Sequence, residues 1–225
     1  MSKTIEYLFY YIHLTGNCIL LFLFIFFFKR TKKEVPLILI AVYALLDSAL
    51  NIFTFQFSAK LYLYIWATFT LVEYSIFSFI IGSNIRKQSI RKAILYISIA
   101  FIVFTSFYNV LTNFKKIDSI PIGIETILIL LFSFYYLYEQ MNDTSNLFVY
   151  SKYQFWIVIG FMIYLAGSFF VYIFASGLNN EILNQYWFFT NIFYFLMIIL
   201  FSISLFVFSK KAKNTNPTNF RPYLN

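Results

Sequence analysis

An all-α integral membrane protein, a bundle of seven transmembrane helices with its amino terminus outside and its carboxyl terminus in the cytoplasm, is the fold class this sequence predicts. Three observations predict it. Seven long apolar runs carry almost no charge and are separated by short loops. Hydrophobic residues make up 61% of the 225 residues and charged residues only 12%, a balance that leaves too little polar surface for a soluble domain. The Lys and Arg residues gather on one side of a seven-span layout, as cytoplasmic loops do.

The runs are Tyr7–Phe28, Pro36–Phe57, Leu61–Gly82, Ala93–Asn113, Ile120–Tyr138, Tyr153–Ala175 and Ile182–Phe208. Each is long enough for a hydrocarbon core of about 30 Å, which takes roughly 20 helical residues. They are continuously apolar rather than alternating, which excludes a barrel. The first run ends in Lys29, Arg30, Lys32 and Lys33, a stop-transfer pattern without a small-residue cleavage site, so it is a span and not a signal peptide. The second and fifth runs carry Pro36 and Pro121 in their first turns, where a missing amide proton costs nothing. The seventh is the longest and has room to tilt or project beyond the bilayer. Residues 1–208 thus form one membrane domain and residues 209–225 a basic cytoplasmic tail, with no soluble catalytic module attached.

Thirteen of the seventeen basic residues fall on the cytoplasmic side: Lys29, Arg30, Lys32, Lys33, Arg86, Lys87, Arg91, Lys92, Lys152, Lys210, Lys211, Lys213 and Arg221. Lys3, Lys60, Lys115 and Lys116 lie outside. The loop from Glu139 to Lys152 holds a single lysine and is neutral evidence, because acidic residues contribute little to the rule. A net charge of +8 suggests nucleic acid in a soluble chain. Here the cations sit beside helix ends, where anionic lipid head groups and topology account for them, so the bilayer is the expected partner and nucleic acid is not. Cys18 is the only cysteine and excludes an intrachain disulfide. The expected location is a bacterial cytoplasmic membrane.

Ionisable groups inside a bilayer are expensive, about +2.5 to +3.5 kcal/mol for a mid-helix Asp, so each is informative. Glu6, Tyr10, His13 and Asn17 share one face of the first helix, and Tyr43, Asp47, Asn51 and Thr54 one face of the second. Trp66, Thr70 and Glu73 form a stripe on the third. Such spacing turns each set towards the bundle interior. By depth, His13, Glu125 and Asn191 fall in the outer half, with Asp47 and Glu73 near the middle. These residues are expected to converge on one cavity open to the outside, Asp47 and Glu73 forming its floor around a shared proton or a cationic partner. No Lys or Arg lies at their depth, and uncompensated desolvation favours the neutral acid.

The plainer reading of Asn17, Asn51, Asn109 and Asn191 is interhelical glue, which membrane bundles use routinely for modest gain. The tyrosines near span ends read as interfacial anchors. Gly160 and Gly167 fall on one stripe of the sixth helix and read as a close-packing face, with a pivot as a second role. A metal site on His13 is not expected, since the chain has one His and one Cys and a zinc site needs several such ligands. Retinal chemistry fails for want of a lysine between Ile182 and Phe208. No phosphate-binding loop, zinc helix or nucleophile elbow occurs, and no cofactor is expected.

The stretches Phe134-Tyr135-Tyr136-Leu137-Tyr138-Glu139-Gln140-Met141-Asn142, Tyr153-Gln154-Phe155-Trp156-Ile157-Val158-Ile159-Gly160 and Tyr164-Leu165-Ala166-Gly167, with Glu73-Tyr74 and Arg86-Lys87, resemble a family of small bacterial seven-helix membrane proteins. That family is similar to the membrane input modules of sensor histidine kinases. The resemblance implies a signalling role, with output through a separate partner, a cytoplasmic histidine kinase or another signalling protein, because the phosphoacceptor helix and ATP-binding domain of a full kinase are missing. The expected function is a receptor-like sensor that binds a small or amphipathic ligand in an outward-facing cavity. A small proton-coupled transporter using Asp47 and Glu73 is the main alternative, and a lipid-modifying enzyme using His13 and Asp47 a third. No catalytic residue can be named for the third, so an enzyme is the less expected outcome.

Overall fold

A computed structural model describes residues 3–53, 59–112, 119–143, 148–174 and 180–214. These form eight α-helices and, among the described residues, no strand: α1 (Lys3–Phe26), α2 (Phe28–Thr31), α3 (Val35–Phe53), α4 (Ala59–Asn84), α5 (Gln88–Leu111), α6 (Ser119–Met141), α7 (Tyr153–Phe174) and α8 (Asn180–Asn214). Six of them, α3 to α8, contain stretches long and apolar enough to cross a membrane, and α1 carries a shorter apolar stretch, Tyr11–Phe26. The chain is a multi-pass helical membrane protein.

Several boundaries differ from the sequence expectation. The first helix breaks at Phe27, and the chain turns through Lys33 into α3, which starts with the Leu37 and Ile38 amides on the Glu34 carbonyl, both at 3.1 Å. Helix α5 starts at Gln88, ahead of the expected Ala93, so Arg91 and Lys92 belong to it. Both are exposed, and their charges lower the local hydropathy without ending the helix. Helix α8 continues through Asn214 into the segment read as a tail. Thr54 lies outside the described residues.

Helices α7 and α8 form the most extensive pair, α6 packs on α7, α1 packs on α8 and α3, and α4 contacts α3, α5, α6 and α7. Apolar burial gives little drive between helices in lipid, so close packing decides the arrangement. A Cβ at Gly160 would stand 3.0 Å from Cε1 of Phe201, and one at Gly167 would overlap the Phe193 ring. Glycine at both positions lets α8 lie against α7. The centre is aromatic: Phe77 stacks on Phe161 at 3.8 Å, and Phe161 meets Phe201 edge-on at 5.5 Å. Phe22, Ile25, Leu95, Tyr96, Val103 and Phe107 are exposed, as a face against lipid requires.

One end of the bundle is tied by polar contacts. Arg30 donates to Ser209 Oγ (2.6 Å) and to its carbonyl (3.3 Å), joining α2 to α8. The Tyr153 hydroxyl donates to Glu34 at 2.7 Å. Arg86 pairs with Asp143, which also receives Lys152 Nζ at 3.0 Å. The Glu139 carboxylate accepts the backbone N–H groups of Arg86 (2.7 Å) and Lys87 (3.0 Å), so α6 supplies the cap that α5 lacks in its own sequence. Asp143 and Glu139 thus tie this connection to the α4–α5 turn, Asp143 through the Arg86 side chain and Glu139 through backbone amides.

Candidate functional site

At the other end from these ties, α1, α3, α4, α7 and α8 enclose a cavity of about 80 Å³, and its walls include His13, Asp47, Asn51, Glu73, Asn191 and Tyr194. Each polar residue reaches it through helical periodicity. His13 and Asn17 are one turn apart on α1, as are Tyr43, Asp47 and Asn51 on α3, so each set stacks on a single face. On α8, Asn191 and Tyr194 share a face at i, i+3 spacing.

Asp47 is the hub. Its Oδ2 receives His13 Nε2 at 2.6 Å, Asn17 Nδ2 at 2.7 Å, the Tyr194 hydroxyl at 2.9 Å and Asn51 Nδ2 at 3.2 Å. The Tyr194 hydroxyl also faces Asn17 Oδ1 at 2.8 Å, so one proton is shared between two acceptors. Asn51 Nδ2 donates to the Asp47 carbonyl at 2.9 Å and lies 3.3 Å from His13 Nε2. The convergence on Oδ2 assigns the Nε2 proton to His13, directed at Asp47. The imidazole stacks on the Tyr194 ring, centroids 3.8 Å apart and planes 11° from parallel. The His13 and Asp47 side chains keep 13% and 10% of their exposure, enough to meet a molecule in the cavity. Hydrogen bonds with a charged partner are roughly twice as strong as neutral ones, and a buried one left half-made costs more than it gave.

Glu73 has different company. It accepts the Tyr43 hydroxyl at 3.0 Å, and Tyr43 packs between Phe69 and Phe77. Tyr164 and Tyr172 place their hydroxyls 3.2 Å apart on the same wall.

The geometry places four of the expected residues as follows. Asp47 has a partner, His13, which the search for Lys and Arg overlooked. The floor is expected to hold a shared proton or a cationic partner; Asp47 and Glu73 share no hydrogen bond among the described residues, and Asp47 meets His13 instead. Asn17 does not line the cavity but supports Asp47 from behind. Glu125 is absent from the walls: α6 packs on α7 and α4, and the buried Glu125 Oε1 has no hydrogen-bond partner among the described residues. The tyrosines Tyr164, Tyr172 and Tyr194 were missed, although Tyr194 follows Asn191 by three residues and so sits on a stripe already marked as polar. No cluster of three or more metal-ligating side chains occurs among the described residues. The hub can orient and hold a small hydrogen-bonding molecule.

No protein-family model, curated protein or solved structure matches this chain.

Proposed function

We propose that the protein is a receptor-like sensor of a bacterial cytoplasmic membrane, with seven spans, an external amino terminus and a cytoplasmic basic end. A small polar ligand enters the cavity, engages the His13–Asp47–Tyr194 hub, and alters what the basic end offers a signalling partner such as a histidine kinase. One observation carries this reading. The hub joins α1, through His13, to α8, through Tyr194, and at the basic end α8 is held again by Arg30 of α2, the short helix that follows α1 across the break at Phe27. A ligand that breaks the first contact therefore acts on α8, which also makes the second, and it shifts the balance by its preference for one packing.

The cavity volume narrows the ligand. About 80 Å³ falls well below the roughly 300–1,000 Å³ of drug-sized sites, which favours a molecule of a few heavy atoms, or water and a proton, over an amphipathic one. Deletion of the protein, and the Asp47→Asn variant, should each abolish a transcriptional response in the host while solute uptake continues. A small proton-coupled carrier is the second reading, favoured by two carboxylates, Asp47 and Glu73, on one cavity. It requires Asp47→Asn to abolish proton-coupled uptake into vesicles. Intact uptake with a lost response supports the sensor, and the reverse result rejects it.

A further inference from the structure

A second cavity lies away from the hub, between α4 and α5 at the basic end. It has a volume of about 570 Å³ and opens along the outer side of the bundle, with Phe79, Leu95 and Ile99 on its walls and Gln88, Arg91 and Lys92 at its mouth. Small residues make the space. Ser75, Ser78, Gly82 and Ser98 form its floor, and a methyl group added at Gly82 would meet only Ile94, at 3.5 Å. The serine hydroxyls are already engaged: Ser75 and Ser78 bond carbonyls of their own helix, and Ser98 accepts the Tyr74 hydroxyl at 3.0 Å. The floor therefore offers room rather than polar ligands.

The mouth is different. Arg86 and Lys152 are paired with Asp143, whereas Arg91 and Lys92 make no ion pair among the described residues. Among the described residues the Arg91 side chain makes one hydrogen bond, from Nη2 to the Ile85 carbonyl at 2.7 Å, which holds the exposed guanidinium at the mouth. From Arg91 to Ile102, the deepest lining residue on α5, the helix rises about 16 Å, close to half of a hydrocarbon core of about 30 Å. An apolar groove one leaflet deep under two unmatched cations fits a lipid. A partner helix would need the full depth of both leaflets.

We propose that this groove is a binding site for one anionic phospholipid, its phosphate on Arg91 and Lys92 and an acyl chain lying between Phe79, Leu95 and Ile99. Lys29 and Lys33, exposed on the same end, do not line this groove and are expected to attract anionic lipid only through the surface potential.

The test uses the full chain in phosphatidylcholine vesicles doped with spin-labelled phosphatidylglycerol or spin-labelled phosphatidylcholine, reading the immobilised lipid fraction by electron paramagnetic resonance. Wild type should immobilise phosphatidylglycerol more than ten-fold more strongly than phosphatidylcholine. Arg91→Gln with Lys92→Gln should weaken that association roughly twenty-five-fold, about five-fold per cation, and Lys29→Gln with Lys33→Gln should leave most of it. Gly82→Leu, which fills the groove and keeps the cations, should also remove it; if that variant fails to fold, the Arg91/Lys92 pair decides alone. The proposal is overturned by equal immobilisation of the two lipids or by equal losses from the two pairs of substitutions. It is also overturned if Ile99→Cys cross-links two copies while no lipid is selected, which would give the groove to a second chain.

Discussion

His13 and Asp47 are 34 positions apart in the chain, yet their side chains meet at 2.6 Å, and this contact fastens α1 to α3 at the point where Tyr194 of α8 closes over both. The carboxylate oxygen serves His13, Asn17, Asn51 and Tyr194 together, so removing any donor changes the geometry available to the others. Single substitutions His13→Ala and Asp47→Ala, and the double variant, should show a coupling energy of about 1–3 kcal/mol in unfolding of the detergent-solubilised protein, the range for residues in one network. Additive losses would mean that the contact contributes nothing beyond its two side chains.

The α7–α8 seam makes a separate prediction. Because a Cβ at Gly167 would overlap the Phe193 ring, Gly167→Ala should destabilise by about 1–3 kcal/mol through overpacking. Phe193→Ala in the same chain should recover most of that loss. Thermal unfolding of the three variants checks it, and a harmless Gly167→Ala would contradict the close approach.

The cap on α5 comes from another helix. Glu139→Ala should leave the Arg86 and Lys87 amides without their protein acceptor and lower the unfolding temperature by about 2–4 °C, the scale of a lost helix cap in a chain of this size. Hydrogen exchange at the two amides should rise in the same variant. Unchanged exchange there would show that the carboxylate does not protect them.

The proposed orientation rests on the thirteen-to-four division of basic residues. In a Cys18→Ser background, Lys60→Cys should react with a membrane-impermeant maleimide in intact cells. Lys32→Cys and Lys87→Cys should react only after lysis. The opposite pattern would invert the molecule and put the hub cavity on the cytoplasmic side.

What was legible in the sequence follows from what periodicity and hydropathy encode. Long apolar runs mark the helices, and three- and four-residue spacing marks which residues share a face, which is why His13, Asp47, Asn51 and Glu73 could be singled out. Neither signal says how helices are rotated against one another. Glu125 lies at a suitable depth, but it is on α6, which packs on the α4 and α7 side, and depth alone cannot distinguish neighbours. The His13–Asp47 contact depends on the same missing information. Tyr194 was hidden for another reason: it is one of 19 tyrosines, and aromatic abundance alone does not mark which of them faces a cavity. The start of α5 was misjudged because Arg91 and Lys92 lower local hydropathy without ending the helix.

The central claim is that the hub and the basic end are coupled through α1 and α8. Spin labels at Lys32→Cys and Lys210→Cys, in a Cys18→Ser background, flank the Arg30–Ser209 contact, and double electron–electron resonance reads the distance between them. Asp47→Asn keeps the size of the hub residue and removes the carboxylate on which four donors converge, and Arg30→Gln serves as the positive control by breaking the far contact directly. The account predicts that Asp47→Asn shifts or broadens the Lys32–Lys210 distance distribution in the direction that Arg30→Gln does. A distribution that Arg30→Gln alters but Asp47→Asn leaves superimposed on the parent would contradict it, and would make the hub a structural fastening with no influence on the basic end.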